Sequence, residues 1–146
     1  MQRLYKLLVI LFLSGFFSCE VVQEPKPIRD VVIGTWKVEE VQIGIGAFDL
    51  TTVYRIDDPK FIVNYATYRL TFFEDNTYFK IDEYESEFMG IWEFASEDTK
   101  ILFDKGIDIT DIAVILEYDT DQLVLQFEVE DKKLGNMNRV FYFIPE

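Results

Sequence analysis

The stretch YRLTFFEDNTYFKIDEY, residues 68–84, contains two runs of alternating apolar residues on either side of a turn. Alternation with a period of two is typical of β-strands. Asp75 and Asn76 tolerate positive φ, so a two-residue turn at these positions predicts a hairpin that pairs Phe72 with Phe79. Because opposed residues lie on one face of a sheet, both rings would point to the same side. The same register also pairs Leu70 with Ile81 on that apolar face, and Phe73 with Tyr78, Thr71 with Lys80 and Arg69 with Asp82 on the other face.

Two further stretches, residues 88–104 and 114–127, show the same pattern. The first has a turn at residues 96–99, and the second has a turn around Thr120 and Asp121. In each case the register that the turn sets places apolar side chains opposite one another on one face. The predicted pairs are Trp92 with Phe103, Phe94 with Ile101, Tyr118 with Leu123, Leu116 with Leu125, and Val114 with Phe127. Successive hairpins with short links indicate an antiparallel meander.

Eight alternating runs follow residue 33, and a meander of this length can close into a barrel that has no exposed edges. We therefore predict an all-β fold, an antiparallel eight-stranded up-and-down barrel, with an open sheet or a sandwich as the alternative. Residues 44–66 form one long connection, which predicts a lid beside a binding site, with a short helix or an extra strand within it. The predicted strands are residues 34–43, 67–73, 78–84, 88–95, 100–104, 112–118, 123–130 and 138–144.

Residues 1–18 have the features of a secretory signal peptide. Arg3 and Lys6 precede an uncharged run of 11 residues, which is too short to cross a bilayer, since about 20 apolar residues are needed. The alternative, a buried first strand or helix, would place two cations inside a core.

Cys19 is the one cysteine of the sequence, so it has no disulfide partner within the chain. Together with Phe-Phe-Ser at 16–18 it resembles the lipobox of bacterial lipoproteins, in which the cysteine is lipidated and becomes the first residue. The resemblance implies a membrane anchor at Cys19 in the cell envelope, at the outer membrane, facing the periplasm or the cell surface. Polar residues and prolines predict that residues 19–33 form an extended tether to a domain at 34–146.

Gly34, Thr35 and Trp36 open the first predicted strand with the pattern Gly-x-Trp. This pattern, followed by LTFFEDNTYF and GIWEF, resembles the lipocalin-like domain of small lipoproteins from Gram-negative bacteria. The resemblance covers roughly residues 33–144 and implies that Trp36 closes one end of a barrel. Arg139 is a candidate for the cation that packs over this tryptophan in lipocalins.

The sequence contains 27 acidic and 14 basic residues, a formal net charge of −13. Binding of nucleic acid relies on clustered Lys and Arg, so we expect no nucleic-acid partner; a basic partner is compatible with the charge. The chain has no histidine, and lipid would occupy its cysteine, so Ser-His and Cys-His nucleophiles and ordinary His/Cys metal sites are absent. We predict no enzymatic activity and no cofactor.

Three weaker candidates for chemistry remain in the sequence. Ser86 and Ser96 fall in predicted turns. Asp104, Asp108 and Asp111 lack the ordered spacing of a calcium loop. Hydrolysis by a pair of carboxylates stays open, although no pair stands out among so many acids.

Aromatic residues dominate the inward face of the predicted barrel, which suits an apolar or aromatic ligand. An eight-stranded barrel is just wide enough to be filled by side chains or to hold one small ligand, so a plugged and a hollow barrel are both open, and Gly90 would leave room on that face. The predicted ligand-binding residues are Trp36, Tyr68, Phe72, Phe79, Trp92, Phe94, Phe103 and Phe127, with Tyr142 as a further candidate.

Two functional hypotheses follow from these patterns. The first is a lipid-anchored carrier or receptor for a small hydrophobic ligand. The second is an interaction protein with a solid barrel, whose acidic outer face or long first loop contacts a basic protein or a polysaccharide. The second is favoured if the outward apolar residues form one patch; these are Phe73, Tyr78, Met89 and Ile91.

Overall fold

The computed structural model describes residues 26–45, 49–58, 60–61, 63–106, 111–133 and 135–146. The predicted signal segment 1–18 and the predicted lipidation site Cys19 lie outside the described residues. Within the described ranges the chain forms one short helix and nine strands. The elements are α1 (Ile28–Val32), β1 (Gly34–Gly44), β2 (Thr51–Arg55), β3 (Arg69–Phe72), β4 (Thr77–Ile81), β5 (Glu87–Ala95), β6 (Lys100–Phe103), β7 (Asp111–Tyr118), β8 (Leu123–Asp131) and β9 (Gly135–Pro145).

Eight of the strands close into a barrel in which each strand from β3 to β9 pairs with the next and β9 pairs with β1. All of these pairings are antiparallel. On its other edge β1 pairs first with β3, through Gly34–Lys37, and then with β2, through Glu40–Ile43. The predicted fold class is confirmed, and β2 is the extra strand inside residues 44–66. A closed eight-stranded up-and-down barrel is the architecture of lipocalins.

The β3–β4 hairpin has a different register from the predicted one. Phe72 pairs with Tyr78, and the N–H of Phe73 donates to the carbonyl of Thr77 over 2.9 Å. Three residues therefore form the turn, and the last of them, Asn76, has a φ of 64°. A left-handed residue at the end of a three-residue loop is a common hairpin geometry. The predicted two-residue turn is wrong by one position.

This shift exchanges the two faces of β4, because side chains alternate along a strand. Tyr78 and Lys80 are on the inner face, opposite Phe72 and Leu70, and Tyr78 is only 4% exposed. Phe79 is on the outer face, where it opposes Met89. Phe79 therefore leaves the predicted ligand lining, and the predicted outward positions of Tyr78 and Lys80 are wrong.

The other two predicted hairpins are correct near their turns. Trp92 opposes Phe103 as predicted, and Tyr118 opposes Leu123 as predicted. A β-bulge at Leu116 then changes the register of β7 against β8, and this leucine is 51% exposed. A bulge adds one unpaired residue and so moves all later pairs by one. Beyond it the pairs are Ile115 with Leu125, Val114 with Gln126, and Ala113 with Phe127.

Residues 28–32, which the sequence predicts as part of an extended tether, form α1 instead. Ile28, Val31 and Val32 are buried, since positions three and four apart lie on one helix face. The carbonyl of Val32 accepts a hydrogen bond of 2.8 Å from the indole Nε1 of Trp36. Trp36 and α1 together close this end of the barrel, which we call the closed end.

Aromatic rings in contact with one another fill the centre of the barrel. Consecutive ring centroids are 5.1 Å apart for Trp92 and Phe72, 5.9 Å for Phe72 and Phe103, 6.0 Å for Phe103 and Phe127, and 5.6 Å for Phe127 and Phe141. Each such pair adds about 0.5 to 1.5 kcal/mol to what burial alone contributes. The plugged alternative therefore describes the centre of the barrel.

The space over Gly90 is also filled. The hydroxyl of Tyr78 donates a hydrogen bond of 2.6 Å to Oδ2 of Asp104, and both side chains lie over this glycine. A Cβ atom at position 90 would be 1.9 Å from Oδ1 of Asp104 and 2.7 Å from the Tyr78 ring. Glycine is needed here because two neighbours occupy the site, so the expectation that Gly90 leaves room for a ligand is wrong.

Candidate ligand site at the barrel mouth

A cavity of about 180 Å³ opens at the end of the barrel away from α1. We call it the mouth cavity. Pockets for drug-sized ligands usually have about 300 to 1,000 Å³, so this one suits a smaller molecule. Its walls combine aromatic, aliphatic and charged side chains: Tyr68, Lys80, Asp82, Glu83, Asp111, Ile112, Phe127, Glu128, Val129, Arg139 and Phe141.

Tyr68, Phe127 and Phe141 form the aromatic floor of the mouth cavity. The ring centroid of Phe141 is 5.1 Å from that of Tyr68 and 5.6 Å from that of Phe127. The three rings are the last layer of the aromatic packing in the barrel. An apolar group that enters the cavity would therefore contact ring surfaces.

Two tyrosines of the segment 44–66, predicted as a lid, pack against this floor within the buried core. The ring of Tyr65 lies 5.8 Å from Phe141 and 6.2 Å from Tyr68, and Tyr54 on β2 contacts Tyr65 at 5.6 Å. Both tyrosines are buried, and burial raises the pKa of each. Among the described residues of the segment, none belongs to the cavity wall. Its described part packs beside the site and does not cover it.

Arg139 and Glu83 form an ion pair in the wall of the mouth cavity. Nη1 of Arg139 donates to Oε1 of Glu83 over 3.1 Å, and the side chain of Glu83 is only 11% exposed. Arg139 points inward because it opposes Phe127 in the β8–β9 ladder. It opposes Ile43 on β1, whereas Trp36 lies near the other end of that strand. The candidate role of Arg139 as a cation over Trp36 is therefore wrong.

Lys80 and Asp111 add two more charges on the inner side of the barrel. Lys80 points inward as a consequence of the three-residue turn, and its Nζ lies 4.8 Å from the centre of the Phe88 ring. Asp111 opposes Phe103 and so shares the inward face of that buried ring. The alternation of two strands therefore brings a cation and an anion to one cavity.

Tyr68 supplies a hydroxyl group at the cavity wall. The residue is 5% exposed, and its hydroxyl has no hydrogen-bond partner in the part of the chain that the structure describes. Burial raises the pKa of Tyr68, and the nearby carboxylate of Glu83 raises it further, so the hydroxyl stays protonated at neutral pH. Unlike Nε1 of Trp92, this oxygen is not shielded from solvent, so it is a candidate contact for a ligand in the cavity.

The predicted ligand-binding residues are divided among four places. Tyr68 and Phe127 are in the mouth cavity. Trp36, Phe72 and Phe103 are buried in the core, and Phe94 packs against it. Trp92 lines a different cavity. Phe79 and Tyr142 lie on the outer face of the barrel, where the hydroxyl of Tyr142 donates to Oε1 of Gln42 over 3.3 Å. Apolar alternation in the sequence did not identify four charged residues as part of the site, because charged residues break that pattern. They are Lys80, Glu83, Asp111 and Arg139.

The second cavity lies at the closed end and measures about 440 Å³. Arg29 and Asp30 of α1, Glu74 and Asn76 of the β3–β4 turn, and Trp92 contribute to its wall. The indole Nε1 of Trp92 is fully buried and has no hydrogen-bond partner among the described residues. Because that nitrogen is shielded from solvent, it does not open into this cavity. The cavity is therefore a weaker candidate than the mouth cavity.

The weaker chemical candidates from the sequence have structural positions. Ser86 lies in the β4–β5 connection and Ser96 in the β5–β6 turn. Asp104 accepts hydrogen bonds from Tyr78 and from the N–H of Ile91, and Asp108 lies outside the described residues. Within the described ranges there is no cluster of three acidic, histidine or cysteine residues suited to a metal.

The described residues include no helix with the length and hydropathy needed to cross a bilayer. No family model and no curated protein matches the chain. Among solved structures, the deswapped triple mutant of bovine odorant binding protein is similar, with 12% identity, a TM-score of 0.45, and coverage of 79% of this chain and 74% of that chain. We draw nothing from a likeness at this level, and the fold assignment rests on the strand pairing itself.

Proposed function

We propose that the protein is a binding module for one small molecule and that the mouth cavity is its site. A concave site with an aromatic surface and a few convergent polar groups is the usual form of a ligand pocket. The observation that carries the proposal is the hydroxyl of Tyr68, which is accessible at the wall of the mouth cavity and has no hydrogen-bond partner among the described residues. A ligand would satisfy it.

This ligand is smaller and more polar than the aromatic lining predicted from the sequence suggests. The centre of the barrel is occupied by rings, so a long hydrophobic chain has no channel to enter. The space of about 180 Å³ is below the usual range for drug-sized ligands. An amphipathic molecule with one short apolar group fits this description.

We also propose that the module is carried at the cell envelope by lipid on Cys19. Support comes from the sequence: a charged start, an apolar run, and one cysteine after Phe-Phe-Ser. Intact-mass analysis of protein from the native host should detect a lipidated chain that begins at Cys19, and Cys19→Ala should release the protein from membranes or leave it unprocessed. An unmodified Cys19 in that host would contradict the anchor.

The alternative function, contact with a protein or polysaccharide, is favoured by one observation on the outer face. Met89 and Ile91 on β5 are 77% and 54% exposed, and Phe73, which follows β3 and is separated from Ile91 by Thr77 of β4, is also exposed. Tyr78 is not part of this patch, since it is buried. A partner bound there would be independent of the mouth cavity.

Native mass spectrometry with a blocked variant tests the proposed site. Val129 lines the mouth cavity, so Val129→Trp should fill it, whereas Leu116→Trp adds the same ring at an exposed bulge outside the barrel. Wild type and Leu116→Trp should retain a co-purified small molecule, or bind at least one of 2-phenylethylamine, 2-phenylethanol and phenylacetate by calorimetry. Val129→Trp should lose this binding at least tenfold. Equal binding by the two variants, or no binding by wild type, would overturn the proposal in favour of the outer patch.

A further inference from the structure

The charges around the mouth cavity are unbalanced. Four carboxylates line it, those of Asp82, Glu83, Asp111 and Glu128, against two cations, Lys80 and Arg139. Glu83 and Arg139 neutralise each other through their ion pair. The remaining wall carries an excess of negative charge, so the cavity favours a positively charged group.

Two of the remaining carboxylates accept hydrogen bonds from the protein itself. Oδ1 of Asp82 accepts the backbone N–H groups of Tyr84 and Ser86, each over 2.9 Å, and Glu128 accepts a hydrogen bond from the side-chain amide of Asn136. These contacts tie the two carboxylates to their own loop or ladder.

Asp111 differs from the other carboxylates of the wall. Its side chain has no hydrogen bond or ion pair to any residue in the described part of the chain, although it lies in the same cavity as Lys80. It is therefore the carboxylate that is available to a ligand.

The neutral groups of the site suit the same kind of ligand. The protonated hydroxyl of Tyr68 keeps its oxygen lone pairs available, so it can accept a hydrogen bond from an ammonium group. The rings of Tyr68, Phe127 and Phe141 present π faces, which attract cations and also bury a short apolar chain. The net charge of −13 over the whole chain adds a long-range field that draws cations toward the protein.

We infer that the ligand of the mouth cavity is a small organic cation, an ammonium group joined to a short apolar or aromatic part. The ammonium lies beside the carboxylate of Asp111 and the hydroxyl of Tyr68, and the apolar part rests on Phe127 and Phe141. This inference rests on the proposed function, because it assigns the chemistry of the same site.

Three probes of nearly equal shape separate the inference from the proposed function. 2-Phenylethylamine is a cation at neutral pH, 2-phenylethanol is neutral, and phenylacetate is an anion. By calorimetry the amine should bind wild type at least tenfold more tightly than the alcohol, and phenylacetate should bind most weakly. Added salt should weaken binding of the amine and leave binding of the alcohol unchanged, because salt screens interactions between charges.

Two variants locate the recognition of the cation. Asp111→Asn should weaken binding of the amine roughly fivefold without changing the affinity for the alcohol. Tyr68→Phe should weaken binding of the amine as well. Asp121→Asn, at the exposed β7–β8 turn, is the matched control and should change neither probe. If the alcohol or phenylacetate binds as tightly as the amine, or if Asp111→Asn affects amine and alcohol equally, the inference is overturned while the proposed function stands. If none of the three binds although a small molecule co-purifies, the inference is overturned while the proposed function stands; if none binds and nothing co-purifies, the proposed function itself fails.

Discussion

The closed end and the mouth of the barrel are built from the same strands, yet their chemistry is opposite. At the closed end the Trp36 indole donates to α1 and is buried. At the mouth Arg139 and Lys80 point inward from two of these strands, and Glu83 of the β4–β5 loop lies beside them. Burial of rings contributes strongly to stability, whereas partly buried charges contribute little net stability because they lose hydration. The closed end therefore maintains the fold, and the mouth is available for binding.

Truncation at the closed end should have the largest effect on stability. Trp36→Ala removes a buried indole and its hydrogen bond to Val32, so we expect a loss of about 3 to 5 kcal/mol in the free energy of unfolding. Denaturant unfolding followed by circular dichroism measures it. Asp111→Asn at the mouth is the counterpart and should leave the unfolding midpoint close to that of wild type. If both variants lose the same stability, the division between the two ends is wrong.

The packed centre between the two ends gives the second prediction. Gly90→Ala would place a methyl group against Asp104 and the Tyr78 ring, at 1.9 and 2.7 Å, so we expect a loss of roughly 1 to 3 kcal/mol from overpacking. Thermal unfolding provides the measurement. The double variant Gly90→Ala/Tyr78→Leu should show less than the sum of the two single losses. Simple additivity would mean that Tyr78 does not fill the space over Gly90.

Breaking the ion pair at the mouth should have a moderate effect. Arg139→Leu leaves the carboxylate of Glu83 unpaired, with its side chain only 11% exposed. We expect this variant to lose about 1 to 2 kcal/mol in the free energy of unfolding. Adding Glu83→Gln should recover much of this loss, because the unpaired charge is then removed. Chemical denaturation of the two single variants and the double variant completes the cycle. An additive result would show that the two side chains do not interact.

The smallest effect is expected on the outer face, where Glu40 connects β1 to β2. Burial alone would raise the pKa of Glu40, but hydrogen bonds from Gln42, Thr52 and Arg55 outweigh it and lower the pKa. A carboxyl group with a lowered pKa in the folded state stabilises the fold above its unfolded pKa, and this stabilisation is lost as the pH falls through the folded value. Glu40→Gln should therefore lose little stability at pH 7. Below about pH 4.5 its stability should fall less steeply with pH than that of wild type. Unfolding midpoints across pH test this, and identical pH profiles would contradict it.

Much of the fold could be predicted from the local sequence. All eight predicted strands are present, and the β5–β6 register is correct, because strict alternation leaves one sensible pairing. The β3–β4 register failed because Asp75 and Asn76 fit both a two-residue and a three-residue turn. The bulge at Leu116 had no local signal, since the residues around it are apolar on both faces.

The candidate site was predicted less well than the fold. Tyr68 and Phe127 are in the mouth cavity, as inward aromatic residues in the predicted barrel. Lys80 was predicted to lie on the outer face because the predicted β3–β4 register was wrong by one residue. The predicted interior therefore lacked this positive charge. Glu83 comes from a loop, and nothing in its local sequence relates it to Arg139, its partner 56 positions along the chain.

The sequence by itself determined the strands, their antiparallel order and the aromatic interior, because these follow from alternation between neighbouring residues. The tertiary structure alone decided that the centre is filled, that residues 28–32 fold back as a helix, and that four strands and one loop bring their charges to one mouth. The physical reason is that alternation is a local property, whereas the space left inside a barrel depends on closure between β1 and β9. The volume and the charge of the cavity depend on which distant side chains that closure brings together.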